Sequence, residues 1–568
     1  MPGLNIYLGD GGERFSVEGV SLVSNIFISK DLPYPHYPIV EWESEDFQFF
    51  LEGYFFEERK IKEKIEALSK EYFSGKSRDA ILKRYFADSD AEFILLVFNK
   101  VSKKVLIVND VLGRLPLYFF KNQEVAIISR NIRFFYQTVG LELNSQAALE
   151  TLSLGFTLGD KTLFNGISRI AGGSYIELVG NEVNFNTYNQ FNFESIIDEQ
   201  IAIPEFLEAS KGYFLDAIKS RSSFGDLNIV TLTGGLDSRA VAGGIKQAAL
   251  PYQFASFVDI EGNAKRDLRI ATQIARKHEK DIEVFNLGFP DRNSYESFFY
   301  KKFGISSWDM AFIAPFFESL ARLSSAPIMF TGDGGDKVFP DLRPGTFCKS
   351  IKSLANYSIN KNSRLPVAYA ADILGVNQKN LFEEVERLLL SYPEVNPDYK
   401  FVRFTMENRV NNWLIEGEDR NRCFLTSFTP FYHIKLFKAL MSVPYRHKEA
   451  FQFYYKFLKL ITPETADIVN ANWGFDLKSR NKIRWIEFKQ CIKNTELGLY
   501  ISNSIKSKSN HFRQMDEVQK GLFQELVAYP EIKKVFKLSG IQAIPNLSSD
   551  NILYLMTLMK IVSIQGKF

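Results

Sequence analysis

Along the first 200 residues or so, short apolar runs alternate with charged or polar turn segments, which predicts a sheet-rich region. The clearest run is Phe93-Ile94-Leu95-Leu96-Val97-Phe98; Lys104-Val105-Leu106-Ile107-Val108 and Val125-Ala126-Ile127-Ile128 follow at strand-like lengths. From Phe191 the chain turns acidic and irregular, and Pro204 opens a stretch to about Ser220 with apolar residues at helical spacing. The change of period predicts a boundary near residue 200, with one domain over 1–200 and a second over 201–568.

Past that boundary, Leu227 to Leu232 reads as a short strand, a glycine pair follows, and Ser238-Arg239-Ala240-Val241-Ala242 begins a helix. Further strands are predicted at Tyr252 to Val258, Ile282 to Phe285 and Pro327 to Phe330, with a helix at about Lys265 to His278. Strands alternating with helices imply a parallel sheet, so the expected class is α/β, or α+β over the whole chain. After Ser350 the pattern is mainly helical, without a fixed-period repeat or low-complexity tract.

Two strand ends carry candidate chemistry. In Leu232-Thr233-Gly234-Gly235-Leu236-Asp237-Ser238 the glycines let the backbone turn tightly and approach a ligand, and Thr233 and Ser238 offer hydroxyls. A helix starting at once would place its positive end under a phosphate, with Asp237 able to hold Mg2+. No lysine follows the glycines, so this is not the common γ-phosphate loop, and pyrophosphate is the expected guest. The second segment, Thr331-Gly332-Asp333-Gly334-Gly335-Asp336, presents two carboxylates at a strand's C-terminal end, where α/β sheets bind ligands. Alone, either loop also reads as a solvated turn; two such loops together favour a site.

These segments resemble the synthetase domain of the asparagine synthetase family, with its Ser-Gly-Gly-x-Asp-Ser loop and later Gly-Glu/Asp-Gly-Ser/Gly-Asp-Glu loop. They are similar also to β-lactam synthetase and lasso-peptide macrolactam synthetase. Phe93 to Phe98, Asn109 to Tyr118 and Thr162 to Ile167 resemble that family's N-terminal glutaminase domain, and Pro430-Phe431 its later helical segment. The resemblance implies an N-terminal Ntn-hydrolase-like sandwich and a C-terminal PP-loop parallel-sheet domain with a helical C-terminal part. It also implies that ATP activates a carboxylate as an acyl-adenylate, which ammonia or an amine attacks. By this carry-over Leu232 to Ser238, Val258 and Gly332 bind ATP or pyrophosphate, Leu232 and Val258 flank adenine, Asp333 is catalytic, and Asp237 and Asp336 hold Mg2+.

Departures from the family pattern shape the expected function. Residue 2 is Pro2 where the family has its nucleophilic cysteine, and Glu52-Gly53-Tyr54-Phe55-Phe56-Glu57 replaces the Asn-Gly-Glu-Ile-Tyr-Asn that helps hold glutamine. A domain that does not hydrolyse glutamine is therefore expected. Lys337 stands where the second loop usually ends in Glu, and Asn472 where a catalytic lysine belongs, with Lys478 or Lys337 as substitutes. The leading expectation is an AMP- and pyrophosphate-forming amide ligase; the alternative is a non-catalytic member that binds nucleotide or a partner.

Composition narrows the partners. With 69 basic and 67 acidic residues the net charge is +2, so no bulk field favours nucleic acid or an anionic membrane. Cys348, Cys423 and Cys491 have neither a zinc spacing nor the even count of a disulfide framework. No apolar run nears the roughly 20 residues needed to span a bilayer, and the first residues lack a signal pattern, so a cytoplasmic protein is expected. The 52 phenylalanines are spread as core residues are. The histidines lack metal spacing, and Lys506, Lys508, His511 and Arg513 read as a solvated loop. The expected partners are a small-molecule or peptide carboxylate and an amine, with a homo-oligomer left open.

Overall fold

A computed structural model describes residues 3–9, 20–23, 25–75, 77–259, 262, 264–345, 348–495, 515–537 and 548–565. Pro2 and the segment with Lys506, Lys508, His511 and Arg513 lie outside these residues.

The apolar runs near the N-terminus build two six-stranded sheets. In spatial order one holds Ile167–Arg169, Tyr118–Lys121, Ala126–Ser129, Gly3–Leu8, Ile26–Asp31 and Val20–Val23. The other holds Glu182–Thr187, Ser174–Val179, Val105–Asn109, Ala91–Asn99, Phe47–Phe55 and Ile39–Glu43. All their pairings are antiparallel. The run read at Phe93 to Phe98 is the heart of Ala91–Asn99 and is buried on both faces. Leu96 and Phe98 pack with Leu4 and Ile6 of the facing sheet, whereas Leu95 and Val97 pack against the helices Ile61–Ser74 and Arg78–Phe86. Burial on both sides explains why the run does not alternate.

The second architecture is a five-stranded parallel sheet ordered Ile282–Leu287, Gln253–Asp259, Leu227–Thr231, Pro327–Phe330, Thr426–Phe428. Its first four strands answer the sequence expectation. The fifth, three residues long, was not expected in a stretch that reads as helical, because so short a run carries no period. Helices Ile203–Ser222, Asp237–Gln247 and Lys265–Lys277 are among those that pack around the sheet. A π-helix, Thr405–Ile415, also departs from the sequence reading, which could not separate it from an α-helix. The helix Ser549–Ile564 is buried almost all round in the large core, so it needs no amphipathic face. No helix among the described residues is long and apolar enough to cross a membrane.

A belt of buried ion pairs joins the sandwich to the parallel-sheet layer. Arg130 pairs with Glu52 and with Asp419; Lys302 reaches Asp419 at 2.5 Å and Glu416 at 2.9 Å. Arg114 pairs with Glu418, Arg422 with Glu92, and Arg221 makes a bidentate contact with Asp90 at 2.7 and 3.0 Å. Burying such charges is tolerable only because each finds opposite charge. In Asp110-Val111-Leu112-Gly113-Arg114 the Asp110 carboxylate accepts from the amides of Leu112 and Arg114, a turn that sends Arg114 into this belt. His433, buried, puts Nε2 3.2 Å from Glu57 in the same contact region.

Candidate functional site

The first loop braces itself from within. The Thr233 amide donates to Ser238 Oγ at 3.0 Å, the Thr233 and Ser238 hydroxyls lie 2.8 Å apart, and the Gly235 amide donates to Thr233 Oγ1 at 3.2 Å. The hydroxyls expected to meet a ligand thus shape the loop. The Gly234 carbonyl accepts from the Ala471 amide at 3.2 Å and from buried Arg239 at 3.3 Å. Arg239 also donates to the carbonyls of Thr465, Ile468 and Val469, fastening the segment before Asn472 onto the loop. Helix Asp237–Gln247 starts directly, and its N-cap residue, Leu236, has no side-chain group to cap the first amides, a geometry suited to an anion.

The two loops lie side by side. A Cβ added at Gly332 would sit 2.7 Å from the Ser238 amide nitrogen, and one at Gly335 would sit 2.5 Å from Asp237 Oδ1. Gly334 has φ 94° and passes over the Tyr432 ring so closely that an added Cβ would be 2.6 Å from it. The Thr331 amide donates to the Phe428 carbonyl at 2.9 Å, and Thr429 Oγ1 to the Asp333 carbonyl at 2.6 Å, so the unforeseen fifth strand holds the second loop in place.

Asp237, Asp333 and Asp336 feel one another's charge here. Asp237 accepts from the Tyr454 hydroxyl at 2.5 Å, and its pKa is raised to about 7 by burial and then by the charge of Asp336. Burial also raises Asp333, while exposed Asp336 is paired with Lys337. Among the described residues no cluster of three or more metal-ligating side chains forms a dedicated cage. The donor set nevertheless fits Mg2+, which takes one or two carboxylates and completes its shell with phosphates and water; two acids that repel each other beside uncapped amides offer that combination.

Next to the loops, Asp333 lines a cavity of about 160 Å³ with Ser307, Trp413, Glu416, Arg420 and Tyr554. Arg420 is buried, is held by Asn421 at 2.9 Å, and has no carboxylate within ion-pair distance among the described residues. The charges of Asp333 and Asp309 act on it from farther off. Asp309 itself is bound to Arg364 at 2.8 Å. Arg420 was not singled out from sequence; an arginine in Glu416-Gly417-Glu418-Asp419-Arg420 reads as a solvated helical charge.

Other expected residues fall differently. The Leu232 side chain is fully buried in the core, with its amide on the Ala255 carbonyl at 2.9 Å, and Val258 is half-buried on the neighbouring strand. Asn472 is exposed beside the first loop. Lys478 is tied to Asp467 at 2.8 Å, whereas Lys337 is on the second loop itself. Arg266, unnoticed in the sequence, brings its guanidinium over Gly474, where an added Cβ would lie 2.4 Å from Nη2.

In the sandwich, the Glu52 carboxylate accepts from the Leu4 amide at 2.9 Å and the Tyr37 hydroxyl at 2.6 Å, besides pairing with Arg130. Every one of these groups is buried.

Residues 36–189 match the glutamine amidotransferase domain family. No curated protein matches the chain. Similar solved structures include an allosteric regulatory enzyme of purine biosynthesis, at 11% identity and TM-score 0.22. Another is glutamine phosphoribosylpyrophosphate amidotransferase from B. subtilis complexed with ADP and GMP, at 11% identity and TM-score 0.20. Each alignment covers 50% of this chain and 74% of the other. Likeness at that level carries no information about substrate.

Proposed function

We propose that this protein is an ATP-dependent amide ligase that activates a carboxylate as an acyl-adenylate, releases pyrophosphate, and passes the acyl group to ammonia or an amine. The reading rests on one observation: two glycine loops, 99 residues apart across the sheet at Thr231 and Phe330, meet at Asp237 beside an uncapped helix start. Such a helix start is suited to hold the leaving pyrophosphate.

In this reading the substrate carboxylate attacks the α-phosphorus of ATP, and the bond to the β-phosphate oxygen breaks. Asp237 and Asp336 would hold Mg2+, which when bound neutralises charge on the phosphate oxygens. Lys337 and Arg266 supply positive charge near the two loops in place of the lysine that Asn472 replaces. Arg420 orients an anionic group of the substrate in the 160 Å³ cavity, and Asp333 faces the carbonyl that the amine attacks, positioned to take up the proton the amine loses. Asp237→Ala should abolish substrate-dependent pyrophosphate release; an unchanged rate would remove the basis of this assignment.

The sandwich, in the same proposal, does not hydrolyse glutamine. Glu52, at the position of a glutamine-holding asparagine in the resembled family, already satisfies Arg130, Tyr37 and the Leu4 amide with its own carboxylate. The amidotransferase match favours the competing view, and a glutaminase assay separates them: release of glutamate and ammonia above background sinks the non-hydrolysing role. ATP binding by calorimetry without turnover on any carboxylate and amine would instead favour the non-catalytic alternative.

A further inference from the structure

A second cavity, of about 350 Å³, opens where the π-helix Thr405–Ile415 meets loops of the sandwich. It is separate from the Asp333 cavity, and only Asn412 borders both. Ligand sites favour domain interfaces and volumes of roughly 300 to 1,000 Å³ with a few convergent polar groups.

The wall is built and held. Asn412 donates to the carbonyls of Thr157 and Gly159 at 2.9 and 3.0 Å and accepts from Arg169 Nη1 at 2.9 Å. Asn408 accepts from the Gly159 amide at 2.8 Å. These amides pin the π-helix to the sandwich, and π-helical segments recur at functional sites. Phe191, Phe193, Met406, Val410 and Phe437 give the cavity an apolar side.

Its polar side has unused donors. Among the described residues the buried Asn189 Nδ2 and the Tyr432 hydroxyl, on a side chain only 4% exposed, have no hydrogen-bond partner. Arg169, 9% exposed, adds positive charge: its Nη1 donates to Asn412, its Nη2 to the Gly113 carbonyl at 3.4 Å, and its Nε lies 3.9 Å from Glu416. Two acids border the cavity: Glu407, already paired with Arg403, and Asp160, which is exposed to solvent. A buried donor without an acceptor forfeits the hydrogen bond it had in water, so the wall is complementary to an acceptor-rich head.

We propose that this cavity binds a second small molecule, a carboxylic acid with an apolar body the size of a phenyl or branched alkyl group. The carboxylate meets Arg169 and Asn189, and the body lies on the phenylalanines and Val410.

The test is calorimetric titration of the full chain, without nucleotide, using 4-phenylbutyrate and 4-methylpentanoate against their alcohol counterparts. At least one acid should bind, its alcohol about tenfold or more weaker. Val410→Trp, which fills the cavity, and Asn411→Asp, which adds like charge to its wall, should each weaken the acid by about tenfold or more. Thermal unfolding checks that the variants fold; if Val410→Trp does not, Asn411→Asp decides. No binding by wild type up to about 10 mM, equal binding of acid and alcohol, or unchanged affinity in the folded variants overturns the assignment. Because no ATP is present, the result is independent of the ligase proposal.

Discussion

The Tyr454 hydroxyl donates to Asp237 across 2.5 Å, although 217 positions separate the two residues. The Tyr454 ring stacks on Phe339 with centroids 4.1 Å apart and planes 7° from parallel, so the hydroxyl is aimed by packing. Tyr454→Phe keeps that stack and deletes only the hydrogen bond to a charged acceptor, worth about 1.5–3 kcal/mol. Pyrophosphate release should fall roughly tenfold to a hundredfold, with a loss of stability no larger than that bond. Wild-type rates in this variant would show that the orientation of Asp237 does not matter.

Loop contact predicts a graded pair of glycine variants. At Gly332 an added methyl meets backbone, the Ser238 nitrogen at 2.7 Å and the Asp237 carbonyl carbon at 2.9 Å. At Gly335 it meets chiefly the Asp237 carboxyl group. Gly332→Ala should therefore part the loops and lower pyrophosphate release by about a hundredfold or more, Gly335→Ala by less, since overpacking against fixed backbone costs about 1–3 kcal/mol or more. The reverse order in steady-state kinetics would contradict the geometry.

The ion-pair belt makes a stability prediction. Arg130→Met leaves Glu52 and Asp419 buried without their shared guanidinium, a loss of about 3–5 kcal/mol. Denaturant unfolding should show it, and Glu52→Gln in the same chain should recover most of it, because a neutral amide needs no counter-charge and Asp419 keeps Lys302 at 2.5 Å. A loss below about 1 kcal/mol, the range of exposed pairs, would mean that water reaches the belt.

His278 provides a pH signature away from the site. Burial, with Lys246 nearby, lowers its pKa from 6.5 to about 4, and its Nδ1 lies 3.3 Å from the Tyr252 hydroxyl. The unfolded chain binds this proton first as pH falls, so stability is intact above about 6.5 and declines toward about pH 4. The decline attributable to His278 is on the order of 3 kcal/mol. His278→Gln should flatten the wild-type profile in that window; parallel profiles would assign the loss to other groups.

Much of the parallel sheet was legible because its strands are apolar runs closed by glycines or turn residues, and such runs report themselves locally. The strand at Thr426–Phe428 was not, since three residues define no period. The π-helix escaped for a related reason: hydrogen bonds five residues apart rather than four leave an apolar spacing close to that of an α-helix. Lys478, read as a substitute for the missing lysine, is exposed and pairs with Asp467 at 2.8 Å.

By itself the sequence determined where the candidate loops fall, Thr233 to Ser238 and Thr331 to Asp336 at the strand ends, where small residues and acids are written next to each other. Tertiary structure decided what those residues face. It set Tyr454 on Asp237, left Arg420 beside Asp333 with no paired carboxylate among the described residues, and gave Glu52 to Arg130. The physical reason is range: backbone preference acts over a few neighbouring residues, whereas the charge and hydrogen bonding of a buried group are settled by whichever distant segments exclude water from it.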